Sequence, residues 1–428
     1  MKNDMKRQLR LLCSIALCTL FACAFTACGS DIEIPEPPEQ QPGTGGSDPG
    51  NDPGPDLPDN GDDGTTEIVT LRIVDPQATD ETKALLANLW ALSARGFLFG
   101  HHDDLWYGRH WYNEPGNSDT KAVCGDYPAV FSVDVSTFMD DRCNNPADQR
   151  ENEIRRRVML EAYARGEVIV ACAHLNNPKT GGDSWDNSDK GVVRAILDDA
   201  DPIHATWLSW LDRLADFAAN LRGDDGKLVP LIFRPFHEHT QDWPWWGASS
   251  ATDEEFVALW QLTVSYLRDT KGVHNLLYAT SPQMDARYAD ARGRLLFRYP
   301  GDAWVDFLGM DCYHYDNIDA FGANLSALSS LALSKLKPCG VTETGKESFT
   351  DSDYWTRCIL APLSTRRISM VVLWRNKYVQ DDSDMHFYSV WPGHPSEEDF
   401  RTMYNRSRSI FSADLPDMYA PADGVTVQ

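Results

Sequence analysis

Eight short apolar runs recur along the chain, at residues 96–100, 129–133, 168–173, 229–233, 276–280, 305–310, 340–343 and 370–373. Each is continuous rather than alternating in polarity, as strands buried on both faces of a parallel sheet must be. Helical spacing of apolar residues is expected at 81–93, 148–165, 205–222, 253–269, 324–335 and 397–411. Parallel strands need crossover connections, and mostly alternating strands and helices supply them. Eight such units predict an α/β fold, a single (β/α)8 TIM barrel spanning residues 65–428. A length of about 360 residues suits one barrel with inserted loops. No second linker and no repeat at solenoid spacing interrupts it.

A second regularity follows from the first. Polar or aromatic residues cluster just past nearly every run: His101 and His102, Asp134, His174, Glu238, Ser281, Asp311 and Tyr313, Glu343, and Trp374. In a parallel barrel those positions converge at the C-terminal mouth, where the active site lies. Glu238 and Glu343 come from the fourth and seventh runs. Trp243, Trp245 and Trp246 follow Glu238 within eight positions. Two carboxylates beside flat apolar rings suit cleavage of a glycosidic bond: one acid protonates the leaving oxygen, and the other attacks or activates water. Aromatic surroundings are expected to desolvate Glu238 and keep it protonated. Tyr313 is placed to donate a hydrogen bond to Glu343, and Arg234 either assists it or forms a structural ion pair. His237 is placed to bond the acid or a sugar.

Of the fourteen tryptophans, Trp90, Trp207, Trp210 and Trp260 fall on helix faces and are assigned to packing. Trp106, Trp111, Trp243, Trp245 and Trp246 lie in strand-end loops and are read as sugar contacts, as is Trp374. Trp185, in Gly181-Gly182-Asp183-Ser184-Trp185, is placed at a further subsite. The histidines at 101, 102, 237 and 239 offer metal ligands, but no helical His-x-x-x-His pair or cysteine pair accompanies them. Hydrogen bonding to sugar hydroxyls accounts for them equally, so neither metal nor cofactor is expected.

The strings Gly100-His101-His102-Asp103-Asp104, Arg234-Pro235-Phe236-His237-Glu238, Trp243-Pro244-Trp245-Trp246-Gly247, Val341-Thr342-Glu343-Thr344-Gly345 and Leu373-Trp374-Arg375-Asn376 resemble glycoside hydrolase family 26. The likeness covers roughly 66–415 and is carried most specifically by the His-Glu pair with its following tryptophans. The family is dominated by β-mannanases. The resemblance implies that Glu238 is the general acid/base and Glu343 the nucleophile of a retaining reaction on β-mannan. It also implies that His174 lies near the sugar on the non-leaving side, that Tyr313 supports the nucleophile, and that Trp374 floors the subsite of the attacked sugar. His102, His237, Trp185, Trp243, Trp246 and Arg234 complete the expected substrate contacts. The chain departs from the family after the acid/base, where His239-Thr240-Gln241-Asp242 replaces a common Asn-Gly. β-1,3-Xylan and mixed-linkage glucan therefore stand as alternative substrates. A non-catalytic surface glycan binder is an alternative of another kind, and retention of both glutamates argues against it. The segments 109–126 and 175–200 are candidate walls of the cleft.

The first residues read as an address. Lys2, Lys6, Arg7 and Arg10 precede an apolar stretch, 11–25, too short for a confident membrane span. It ends at Ala27-Cys28-Gly29-Ser30, which resembles a bacterial lipobox. Residues 1–27 are thus expected to be a lipoprotein signal peptide and Cys28 the lipidated residue. No acidic residue follows Cys28 directly, which fits an outer-membrane lipoprotein facing the cell surface or the periplasm. Residues 28–64 are rich in Pro, Gly and Asp and cannot bury enough surface to order themselves, which predicts a flexible linker. The net charge of −25 and the lack of a basic patch exclude nucleic acid as a partner. The expected partners are a polysaccharide and, through the lipid, a membrane; the protein itself is expected to be a monomer. Of the six cysteines beyond the signal region, Cys124 and Cys143 are a candidate disulfide. Cys172, Cys312 and Cys339 read as buried thiols.

Overall fold

The structure is a computed structural model and describes residues 68–381 and 384–428. The expected signal peptide, Cys28 and the linker lie outside the described residues. Eight parallel strands form the sheet: β1 (Phe97–His102), β2 (Val130–Asp134), β3 (Val168–Cys172), β4 (Leu231–Arg234), β5 (Leu276–Thr280), β6 (Phe307–Asp311), β7 (Cys339–Thr344) and β8 (Met370–Leu373). Each pairs with the next, and β8 pairs back onto β1 from Leu98↔Met370 to His101↔Leu373, so the barrel closes. The longer helices are α1 (Asp80–Leu92), α2 (Pro146–Ala164), α3 (Pro202–Asn220), α4 (Asp253–Ser265), α5 (Ile318–Lys335) and α6 (Glu397–Tyr404).

The continuous apolar runs resolve into two packing surfaces, because alternate strand residues face opposite ways. Leu98, Val130, Val170, Ile232, Leu277 and Val372 join one buried cluster, the barrel interior. Their sequence neighbours Phe99, Phe131, Ile169, Phe233, Tyr278 and Val371 join the other, beneath the helices. Leu85, Leu86 and Leu89 of α1 belong to the interior cluster. This helix therefore closes one end of the barrel, leaving the C-terminal mouth for chemistry.

Helix starts follow local chemistry. Asn145 and Asp201 cap α2 and α3 ahead of a proline whose missing N–H costs nothing there. Thr252 and Glu255 form a reciprocal capping box on α4. Where the structure departs from expectation, the cause is local. Helix α5 begins at Ile318 rather than 324, because the Asn317 side chain caps it by accepting from the Ala320 N–H and Gly322 is absorbed within the helix. The stretch expected to be helical to 269 changes to a π-helical turn at Tyr266–Thr270. Helix α6 stops at Tyr404, and Ser409–Ile410 instead adds a short parallel strand to the edge of β1. A parallel pair joining Val69–Leu71 to Val425–Val427 was not expected; it ties the ends of the described domain together.

The expected Cys124–Cys143 disulfide is not formed: both thiols are free. The Cys124 thiol donates to the Thr120 carbonyl of its own helical turn at 3.3 Å. Cys172, Cys312 and Cys339 are buried free thiols, as read from their apolar runs.

Candidate active site

Glu238 does not sit on β4 itself but four residues beyond it, in a backbone that must turn twice. Phe236 and Glu238 both adopt left-handed conformations, with φ of 52° and 54°. For residues with side chains that geometry costs about 1–2 kcal/mol each, so neighbouring structure must impose it. The Glu238 N–H donates to the Ser281 carbonyl at 2.7 Å. The Trp246 indole N–H donates to the His237 carbonyl at 2.8 Å. Phe236 is seated among Trp207, Trp245, Trp246, Phe256 and Trp260, with ring centroids 5.7–6.4 Å away.

That cluster corrects part of the sequence reading. Trp245 and Trp246 are fully buried, and Trp111 nearly so. Trp245 and Trp246 cannot offer a face to a sugar, because their rings are consumed in packing the loop that carries Glu238, whereas the Trp111 indole N–H donates to Asp119 Oδ1 at 3.0 Å. Trp106 is also buried, but it lines the cleft. Trp243 remains half-buried, and its indole N–H donates to Glu238 Oε2 at 2.6 Å. Trp185 is exposed and lies over Trp243, with centroids 4.5 Å apart.

Glu343 is aimed by a different device. Across β6 and β7, Met310 pairs with Val341 but Asp311 pairs with Glu343, so Thr342 is an extra residue in the ladder. Such a bulge bends its strand and redirects the side chains beside it, and bulges concentrate at active sites. The Thr342 hydroxyl donates to Asp311 Oδ1 at 2.7 Å. Both Glu343 oxygens are held. Arg234 Nη2 donates to Oε1 in a close ion pair, and the Tyr313 hydroxyl donates to Oε2 at 2.9 Å. Arg234 is fully buried and also donates to Ser281 Oγ and Asp311 Oδ2. The expectation that Arg234 contacts substrate is therefore corrected, since every accessible direction is filled by protein.

One carboxylate oxygen from each of Glu238, Asp311 and Glu343 lies within 4.8 Å of the others. Burial, followed by the like charge of Glu343, pushes Glu238 up to about 7, against the opposing Trp243 hydrogen bond. Burial also pushes Asp311 well above the usual carboxylate range, although Arg234 pulls the other way.

On the other side of the mouth, His174 Nδ1 meets Asp134 Oδ2 at 2.6 Å, and His174 Nε2 meets His237 Nε2 at 3.0 Å. Burial disfavours charge on His174, but the hydrogen bond and charge of Asp134 outweigh it and raise the imidazole. Burial, then the charges of His174 and Arg234, lowers His237 well below its ordinary value. His102 is buried beneath the Trp374 ring, centroids 4.3 Å apart, with Nδ1 2.9 Å from Ser132 Oγ. A cleft of about 620 Å³ runs past His102, Asp134, His174 and Trp374 to Tyr112 and Tyr378.

The structure thus brings Glu238, Glu343, Arg234, Tyr313, His174, His237, Trp243, Trp185, Trp374 and His102 to one mouth. The sequence does not reveal the pairing of Asp134 with His174, although Asp134 stands out there as a charge directly after an apolar run. Tyr112 and Tyr378 carried no such signal, because loop tyrosines are common and only folding sets these two beside the cleft.

A closed parallel barrel that presents two neighbouring glutamates from the ends of its fourth and seventh strands, beside exposed indole, is a glycoside hydrolase. Residues 74–353 match the model for glycosyl hydrolase family 26, and the chain belongs to that family. It is similar in structure to a family-26 β-mannanase from Bacteroides ovatus: TM-score 0.74, 38% identity, 81% of this chain and 98% of that one. A modular endo-β-1,4-mannanase from Cellulomonas fimi gives a TM-score of 0.73 at 31% identity, covering 83% of this chain and 81% of that one. Among curated sequences, a mannan endo-1,4-β-mannosidase of Bifidobacterium adolescentis is 30% identical over 84% of this chain, which spans only 37% of that relative's length.

Proposed function

We propose that the protein is a retaining β-1,4-mannanase acting on mannan, galactomannan or glucomannan. The observation that carries the reading is the closeness of Glu238 and Glu343, one oxygen of each lying within 4.8 Å of the other, which favours direct attack by a carboxylate. Retaining enzymes hold their carboxyl groups about 5–5.5 Å apart, and inverting ones about 6.5–9.5 Å. Glu238, protonated because it is buried beside a second carboxylate, gives its proton to the glycosidic oxygen. Glu343, held by Arg234 and Tyr313, attacks the anomeric carbon, and the leaving chain departs with Glu238's proton. Glu238, now a carboxylate, takes a proton from water, which attacks the same carbon and frees Glu343. Trp374 floors the attacked sugar. His174, fixed by Asp134, meets that sugar from the side, and Trp243 with Trp185 faces the leaving part. The mannanases named above support the choice of mannan.

Incubating the purified protein with galactomannan, xylan and lichenan tests the choice. New reducing ends from galactomannan are expected. Release only from β-1,3-xylan or from lichenan would move the substrate to one of those glycans, and binding without cleavage would make the protein a glycan-binding module. We further propose residues 1–27 as a signal peptide, Cys28 as the lipid anchor to the outer membrane, residues 28–64 as a tether, and 65–428 as the catalytic domain. The basic, apolar and small-residue segments before Cys28 support this. Cys28→Ala is expected to move the protein from the membrane fraction to the soluble one.

A further inference from the structure

The segment that follows β5 splints the two halves of the site. On one side the Ser281 carbonyl accepts the Glu238 N–H at 2.7 Å, and the Thr240 hydroxyl accepts the Gln283 N–H at 2.9 Å. On the other side the Met284 N–H donates to the Asp311 carbonyl at 2.7 Å, and Asn324 Nδ2 donates to the Met284 carbonyl at 2.6 Å. One side chain completes the splint. The ladder between β6 and β7 ends where the Cys312 N–H donates to the Glu343 carbonyl at 2.8 Å. The next backbone N–H, that of Tyr313, still needs an acceptor. Asp285 Oδ1 supplies it at 2.9 Å, and Gln283 Nε2 donates to Asp285 Oδ2. Tyr313 is the residue whose hydroxyl donates to Glu343 Oε2 at 2.9 Å.

We propose that Asp285 is a positioning residue for the reaction: by holding the Tyr313 backbone it sets where the Tyr313 hydroxyl meets Glu343. The proposal rests on the reading of Glu343 as the nucleophile. A carboxylate is a stronger acceptor for a backbone N–H than a neutral oxygen, so it fixes the chain past the end of a strand. A second effect reaches the acid. Glu238 faces Glu343 from β7, Asp311 from β6, Arg234 from β4, Trp243 from its own loop, and Asp285. The charge of Asp285 adds to that of Glu343 in keeping Glu238 protonated, and Arg234 and the Trp243 N–H oppose both. Asp285 itself is half-buried, and burial raises its carboxyl against the Tyr313 N–H, Gln283 and Arg294 of the short helix Ala291–Leu295. The two effects are separable, because the first needs only an acceptor oxygen and the second needs a charge. Asparagine keeps the oxygen and loses the charge; alanine loses both.

The test compares Asp285→Ala and Asp285→Asn with wild type on galactomannan, each alone and combined with Tyr313→Phe, once circular dichroism shows them folded. Asp285→Ala is expected to lower kcat about 10–100-fold with KM little changed, as a misplacement of about 1 Å does. In the Tyr313→Phe background it should cost little more, because the hydroxyl it positions is already gone. Asp285→Asn should restore most of the loss yet move the basic limb of the pH–rate profile downward, since the acceptor stays and the charge beside Glu238 goes. A crystal structure of Asp285→Ala gives a readout that does not depend on the glycan, and the Tyr313 hydroxyl is expected to have left Glu343 Oε2. An unmoved Tyr313 in that structure, an equal loss in the Tyr313→Phe background, a rise in KM alone, or asparagine as damaging as alanine would each overturn the role. A wild-type enzyme that cleaves no galactomannan would instead contradict the substrate reading, and the crystal structure would still decide the role of Asp285.

Discussion

In the proposed mechanism Glu238 is an acid first and a base second, and its surroundings set the pH at which it can be both. Burial beside Glu343 holds it at about 7, so kcat/KM is expected to fall as pH rises through about 7. The Trp243 N–H favours the charged form. Trp243→Phe should therefore move the basic limb of the pH–rate profile upward, which a profile of the variant beside wild type checks. The same group carries a cost in stability. Its folded-state pKa lies above the unfolded value of 4.5, so the folded protein binds the extra proton and stability is lost as pH climbs from about 4.5 to 7. Glu238→Gln removes that penalty. It should raise unfolding stability at pH 8 by about 1–3 kcal/mol relative to wild type, with little difference at pH 4.5, as measured by denaturant titration at both pH values. Glu343→Ala should lower turnover about 10⁴-fold or more. Glu238→Ala, assayed with a good leaving group, should give a rapid burst and then slow turnover, because only deglycosylation still needs the missing base.

At the scale of elements, strands were the legible part and their ends the illegible part. The runs at 276–280 and 370–373 match β5 and β8, since a fully buried parallel strand leaves an unbroken apolar mark. The two glutamates were legible because each follows such a run. What aims them was not. The left-handed backbone at Phe236 and Glu238 and the Thr342 bulge are properties of the folded ladder. Trp246 reads as a substrate contact because loop position alone does not distinguish a ring facing a cleft from one packed beneath it, and Arg234 because a strand-end cation reads alike whether it meets a sugar or, as here, buried carboxylates. The pair between Val69–Leu71 and Val425–Val427 also left little trace, being three residues long on each side. It buries Leu71 completely, so deleting residues 422–428 should lower Tm by about 2–5 °C with kcat unchanged, as read by thermal melts and initial rates on the same samples.

For the whole molecule, the barrel divides the work between its ends. Helix α1 plugs one end with the leucines that fill the interior, and the other end gathers the carboxylates, imidazoles and indoles. No described helix is long and apolar enough to cross a membrane. The acidic charge of −25 suits an uncharged glycan, whose binding by stacking and hydrogen bonds needs no counter-charge. In the proposed mechanism the closeness of Glu238 and Glu343 implies retention of configuration, and the first product tests it most directly. Proton NMR during the first minutes of manno-oligosaccharide hydrolysis should show the β-anomer of the new reducing end appearing first and equilibrating to α only afterwards. An α-anomer formed first, or no cleavage of any mannan, would contradict it.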